Sequence, residues 1–146
     1  MEHDEVTQIK KSKSDPLKEK SFQLAIRVVR LYRYLTEDKK EFVVSKQLLR
    51  AGTNPGAMIR EAANAESSLD FVHKLGVAQK ETGETQYWLE LLFATNFLTE
   101  NEYDSIYADT EEVMKLLRSS ILTKKRKIAA QAGAIVLLLA TTLLFF

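Results

Sequence analysis

Residues 50–62 read RAGTNPGAMIREA. They place Gly52, Pro55 and Gly56 within five positions of a run that is otherwise helix-forming, with VVSKQLL before it and EAANAE after it. Inside a helix, glycine costs about 1 kcal/mol and proline about 3 kcal/mol relative to alanine, so the stretch marks either an interruption or a close approach of two backbones. Asn54-Pro55 has the local form of an N-cap followed by proline at the first helical position, which would restart a helix after a break. Against that, Leu48, Gly52, Pro55, Ile59 and Ala62 recur at helical intervals straight through it. The preferred expectation is one helix kinked at Pro55, whose small residues Ala51, Gly52, Gly56, Ala62, Ala63 and Ala65 let a neighbouring helix come close. Break and restart is the alternative.

Working outward, the same logic yields four helices. Asp15-Pro16 has the form of a helix start, and helix one is expected over about Leu17 to Thr36. Glu37–Lys40 forms a turn. Helix two starts near Glu41, with Val43, Val44, Leu48 and Leu49 inward. Ser67-Ser68-Leu69-Asp70 caps a long third helix from about Leu69 to Asn96. Its inner face is Phe71, Leu75, Ala78, Thr82, Thr85, Trp88 or Leu89, and Leu92, with Gly76 and Gly83 as further small contacts. Thr99 and Glu102 form a capping box for helix four, whose first turn holds acids where the helix dipole favours them. Ile106, Val113, Leu116, Leu117 and Ile121 make its core seam. Short connections between helices imply antiparallel neighbours. The expected fold is all-α, an antiparallel up-and-down four-helix bundle over residues 17–123 followed by a C-terminal apolar helix.

Composition agrees. A chain of 146 residues has room for one core. It is poor in glycine and proline, and no period-two alternation is long enough for a strand. With no cysteine, disulfides, thiolate catalysis and thiolate-bound metals are excluded. Residues 1–16 are polar and lysine-rich, and are expected to form a disordered arm rather than an export signal, which points to the cytoplasm. Charge is unevenly divided: residues 21–60 hold eight bases against three acids, and residues 61–123 hold four bases against twelve acids. A surface that grips a phosphate backbone all over would not be built this way.

Two segments could carry a function. Helix one has apolar residues round most of its circumference (Phe22, Leu24, Ile26, Val28, Val29, Leu31 and Leu35 among them), leaving a polar stripe of Gln23, Arg27, Arg30 and Tyr34. An outer helix of a lone bundle needs an apolar stripe only about 100° wide, so a second buried face, and hence a homo-oligomer, is expected. Arg27, Arg30 and Arg33, with Tyr32 and Tyr34 between and beside them, form a candidate RNA- or DNA-binding stripe, since arginine beside aromatics suits phosphate contact and base stacking. Equally, these arginines could pair with the acidic second half of the bundle. The other segment is the tail: Ile128 to Phe146, IAAQAGAIVLLLATTLLFF, is uncharged and directly follows Lys124-Lys125-Arg126-Lys127. Nineteen helical residues span about 28 Å, close to the hydrocarbon thickness of a bilayer. The basic flank fits an anchor with the bundle on the cytoplasmic side.

Chemistry has little footing. Asp70 and His73 lie three apart, as in di-metal bundles, but such sites need a second pair and His73 is the bundle's only histidine. Glu81, Glu84 and Glu90 have the spacing of a solvated face. No nucleophile motif or phosphate-binding loop is present. The chain is expected to be non-enzymatic, without metal or cofactor.

The middle of the chain resembles a known family. The run SKQLLRAGT, IREA at 59–62, AESSLDF at 65–71 and ETQYWLELL at 84–92 are similar to proteins encoded by intervening sequences in bacterial large-subunit ribosomal RNA genes. The accessory variability proteins of diversity-generating retroelements share that fold group. The resemblance, extending over residues 17–122, implies a four-helix protomer, a ring-like homopentamer and no catalytic residues. In the retroelement branch it implies binding of nucleic acid and of a reverse transcriptase. Pro55 stands where the family more usually has an aliphatic residue, Met58 where it often has asparagine, and the segment after Lys127 has no family counterpart.

Overall fold

The computed structural model describes residues 15–145, so the expected arm falls outside the described residues except for its last two positions. Four helices follow in order: α1 Pro16–Glu37, α2 Val44–Ala62, α3 Ser68–Ala94 and α4 Glu100–Phe145. Among the described residues there is no strand. Each helix packs on its neighbours in the order α1, α2, α3, α4 and back to α1, which is a four-cornered bundle.

Side-chain pairings fix the directions. Gly52 of α2 faces Val28 of α1 and Gly56 faces Ser21, so register falls on one helix as it rises on the other. Arg50 pairs with Glu81 and Glu84, and Glu61 with Lys74. Gln86 bonds Thr110, and Glu90 bonds Tyr107. Lys20 pairs with Glu112 and Arg27 with Asp109. Every adjacent pair is antiparallel.

Helix α2 runs unbroken through Pro55, so it does not break and restart there. Pro55 cannot donate the bond that Ala51's carbonyl would accept, yet Leu48, Ala51, Gly52, Pro55, Gly56, Ile59 and Ala62 are all buried as one stripe. A Cβ on Gly52 would lie 2.6 and 2.8 Å from the two Val28 methyls. Backbone proximity to α1 therefore requires glycine at that position. Gly76 and Gly83 differ from expectation: a Cβ on Gly76 would meet nothing within 4 Å, and one on Gly83 only the tip of Met114 at 4.0 Å. They are not close helix contacts.

Helix ends follow local chemistry. Asp15 caps α1, its carboxylate accepting from the Leu17 and Lys18 amides. Ser67 caps α3 by accepting from Asp70 N. The capping box of α4 forms as expected, with Glu102 N donating to Thr99 Oγ1 and Thr99 N to the Glu102 carboxylate. Glu41 is not the first residue of α2, which begins three residues later. Its carboxylate instead accepts from the amides of Val43, Val44 and Ser45, supplying the cap that Val43 cannot. That geometry turns Val43 out to 73% exposure, contrary to its expected inward position. Helix α3 stops at Ala94, short of Asn96, because Asn96 adopts φ 64°. Asn96 N then bonds Phe93 O and Phe97 N bonds Leu92 O, the Schellman pattern that closes a helix.

The core holds Leu24, Val28, Leu35, Leu48, Leu75, Leu89, Leu92, Val113 and Leu117, all fully buried. Leu89 rather than Trp88 points inward, with Trp88 half-buried against the cluster. Ile106 is buried in the α4 seam, while Leu116 and Ile121 are partly buried against it. On α1 the apolar residues divide. Leu24, Val28 and Leu35 enter the core, Leu31 packs against it, and Ile26, Val29 and Phe22 keep solvent exposure, Phe22 to 50%.

Candidate functional site

The arginines of α1 do not share one face. At about 100° per residue, steps of three drift backward by about 60° each, so Arg27, Arg30 and Arg33 fan across roughly a third of the helix. Arg27 turns into the seam with α4. Its Nη1 donates to Ser105 O at 2.9 Å and to Asp109 Oδ2 at 2.5 Å, and its Nη2 donates to Ser105 Oγ at 2.8 Å. This guanidinium joins α1, in the basic half, to α4, in the acidic half, the pairing that charge distribution offered as the alternative to nucleic acid. Ser105 and Asp109, four apart on α4, form the partner face; only the excess of acids over residues 61–123 signalled them.

Arg30 and Arg33 are exposed, and among the described residues neither lies within ion-pair distance of a carboxylate. Tyr34 is half-buried against the core, with Lys39 Nζ 5.6 Å from its ring centre. Between α1 and α4 opens a groove of about 510 Å³, lined by Arg27, Arg30, Leu31, Tyr34, Leu98 and Ile106 among others. The structure thus brings Arg27, Arg30 and Tyr34 to one groove, with Arg27 already engaged, and leaves Arg33 outside it.

No cluster of three or more histidine, aspartate or glutamate side chains suited to a metal ion occurs among the described residues. His73 is exposed. Asp70 instead accepts from Glu66 N at 3.2 Å as part of the α3 cap. Glu81 and Glu84 bind Arg50, which their charge holds protonated above its usual range, the Glu84 hydrogen bond being the main cause. Glu90 accepts from Tyr107 Oη at 3.1 Å. Burial raises the Tyr107 pKa, and the bond to Glu90 raises it further. These carboxylates join helices together.

The tail shows the largest departure from an ordinary bundle. Ile121 is the last α4 residue packed on the core and Lys124 still reaches the Phe71 ring, after which the helix leaves its neighbours and continues without interruption through the apolar segment. Among the described residues nothing covers the apolar segment: Ile135 to Leu139 are 58–67% exposed, and Leu143 and Leu144 at least 80%. By length and composition α4 qualifies as a membrane span, and its apolar window is wholly unburied. The two threonines are compatible with hydrocarbon. Thr141 and Thr142 Oγ1 donate to the carbonyls of Leu138 and Leu139 at 2.8 Å, so each hydroxyl is satisfied within its own helix, as a bilayer demands.

Comparison with known proteins locates the bundle among relatives. Residues 16–119 match the family model described as 23S rRNA-intervening sequence protein. A crystal structure of a protein of unknown function from the S23 ribosomal protein family of Bacteroides thetaiotaomicron superposes with a TM-score of 0.72 at 52% identity, covering 73% of this chain and 95% of that one. No curated protein matches the chain. The basic run and apolar segment lie beyond the family match.

Proposed function

This chain belongs to the 23S rRNA-intervening sequence protein family, and from that premise we propose that it is a non-enzymatic bundle tethered to a membrane by the apolar end of α4, with the bundle on the cytoplasmic side. One observation carries this: an apolar helical segment long enough to span hydrocarbon is left entirely uncovered by the described residues. Exposing such a surface to water is strongly unfavourable at roughly 25 cal/mol per Å². Insertion removes that penalty without any change in the fold. Alkaline extraction of cell membranes tests the tether. The full chain is expected to stay in the pellet, and a chain released to the supernatant would refute it.

The bundle then acts as a scaffold whose copies assemble. Phe22, Ile26 and Val29 form a partly exposed apolar strip on the outer side of α1, and family resemblance implies a pentamer. Light scattering in detergent that shows a monomer at micromolar concentration would remove this assembly.

A second reading has its own support in the exposed guanidiniums of Arg30 and Arg33, which meet no carboxylate among the described residues. In it they bind RNA or DNA, with Tyr34 at the groove edge. The salt slope of binding reports phosphate contacts, so Arg30→Ala with Arg33→Ala would flatten it, and an unchanged slope would exclude them. A reverse transcriptase as partner draws on the retroelement resemblance alone.

A further inference from the structure

We propose that Lys125, Arg126 and Lys127 form a collar selective for anionic phospholipid headgroups, with Lys124 locking that collar onto the bundle. The inference rests on the tethered reading above and names the lipid that the tether meets.

Geometry sets the depth of each residue. With Ile128 at the edge of the hydrocarbon, the four basic residues occupy about 6 Å of helix at 1.5 Å per residue. The headgroup layer of one leaflet is about 5–7 Å thick. All four cations therefore lie at the level of the lipid phosphates. Ile121, the last α4 residue packed on the core, lies seven residues before Ile128, so the bundle stands on the headgroups with only about 10 Å of helix between core and hydrocarbon.

Four consecutive residues at about 100° each encircle a helix, so the charges point outward in all directions. Lys124 is drawn back to the bundle, its Nζ 5.3 Å from the centre of the Phe71 ring at the start of α3. Lys125, Arg126 and Lys127 remain exposed, with no ion pair among the described residues. Of the carboxylates flanking the α2–α3 turn, Glu61 is paired with Lys74 and Asp70 accepts from the Glu66 amide, and the exposed Glu66 carboxylate makes no ion pair with the collar. Three cations held at phosphate level by a continuous helix thus have anionic headgroups as their natural partner. No hinge residue lies between Ile121 and Ile128, so the bundle cannot withdraw them.

The test uses the full chain reconstituted in vesicles of phosphatidylcholine with one-fifth phosphatidylglycerol, with spin-labelled versions of each lipid reporting the first shell. At about 1 kcal/mol for each cation near an anionic surface, phosphatidylglycerol should be enriched about fivefold over phosphatidylcholine. Lys125→Gln, Arg126→Gln and Lys127→Gln together should bring the ratio to about one, whereas Lys125→Arg with Lys127→Arg should preserve it. Equal ratios for the wild type and the glutamine variant, in protein that resists alkaline extraction, would overturn the collar and leave the tether standing. Protein that is extracted by alkali would overturn the tether, and the collar with it.

Discussion

Gly52→Ala is the substitution whose outcome depends most directly on the α1–α2 contact. In an open helix the change gains about 1 kcal/mol, from propensity and a less flexible unfolded chain. Here the new Cβ would sit 2.6 Å from Val28 Cγ2, 2.8 Å from Cγ1 and 3.2 Å from Cβ. Val28 is fully buried, and a helical valine holds essentially one χ1 rotamer. Both methyls are in the way, so rotation cannot clear the clash and the helices must separate. Overpacking of this kind costs about 1–3 kcal/mol, and two contacts this short place it at the upper end, for a net loss of about 2 kcal/mol. Gly56→Ala is the internal control. Its Cβ would come no nearer than 3.6 Å, to Ser21 O, and its φ is not positive, so it should gain about 0.4–1 kcal/mol. Thermal unfolding followed by fluorescence of Trp88, the chain's single tryptophan, should place the two variants about 10 °C or more apart. In a Gly52→Ala background, Val28→Ala should cost clearly less than it does alone. The reasoning fails if both alanines stabilise equally, or if the two sites prove additive.

Arg27→Ala should lower stability by about 1 kcal/mol, because it leaves Asp109 and Ser105 without their cross-helix donor. Arg33→Ala, at a position that meets no carboxylate among the described residues, should fall within about 0.5 kcal/mol of wild type, both variants being measured by urea titration. Glu41→Ala should cost about 1 kcal/mol at neutral pH through loss of the α2 cap. Burial raises the Glu41 pKa, but the amides of Ser45, Val44 and Val43 and the Ser45 hydroxyl together outweigh it and lower the value below normal. Its stabilisation is therefore complete above the ordinary glutamate range and disappears as pH falls through the lowered pKa. Urea midpoints measured from pH 6 down to pH 3 should show the wild type and Glu41→Ala converging, and a constant gap would contradict the cap.

Much of this fold was legible because periodicity survives insults to propensity. The stripe through Gly52, Pro55 and Gly56 identified α2 as one helix even though its local residues argue against it, since burial against α1 overrides intrinsic preference. Capping chemistry placed the starts of α1, α3 and α4 within a residue or so. The misses have local causes. Glu41 precedes α2, against expectation, because a glutamate that reaches forward to cap looks, in sequence, like a glutamate in a first turn. Asn96 closes α3 through a left-handed conformation that periodicity does not encode. Gly76 and Gly83 look identical to Gly52 in sequence, and only the position of the neighbouring helix separates a required glycine from an incidental one. For the candidate interface, three-residue spacing suggested a stripe where helical drift spreads the arginines apart. One of them was claimed by an acid on α4, a pairing that sequence suggested only through the charge imbalance of the two halves. The apolar segment was visible from its residues alone, but its lack of cover among the described residues depends on where the bundle ends, which the residues of the segment do not encode.

Site-specific labelling tests the tether most directly, since the chain contains no cysteine and any introduced thiol is unique. Ser119→Cys lies on the exposed surface of the bundle end of α4, and Leu137→Cys at a position 67% exposed in the isolated chain. In membranes opened by sonication, a charged maleimide should modify the Ser119→Cys protein fully and leave the Leu137→Cys protein unmodified until detergent is added. Equal modification of both before detergent would show that this segment lies in water, and would contradict the account.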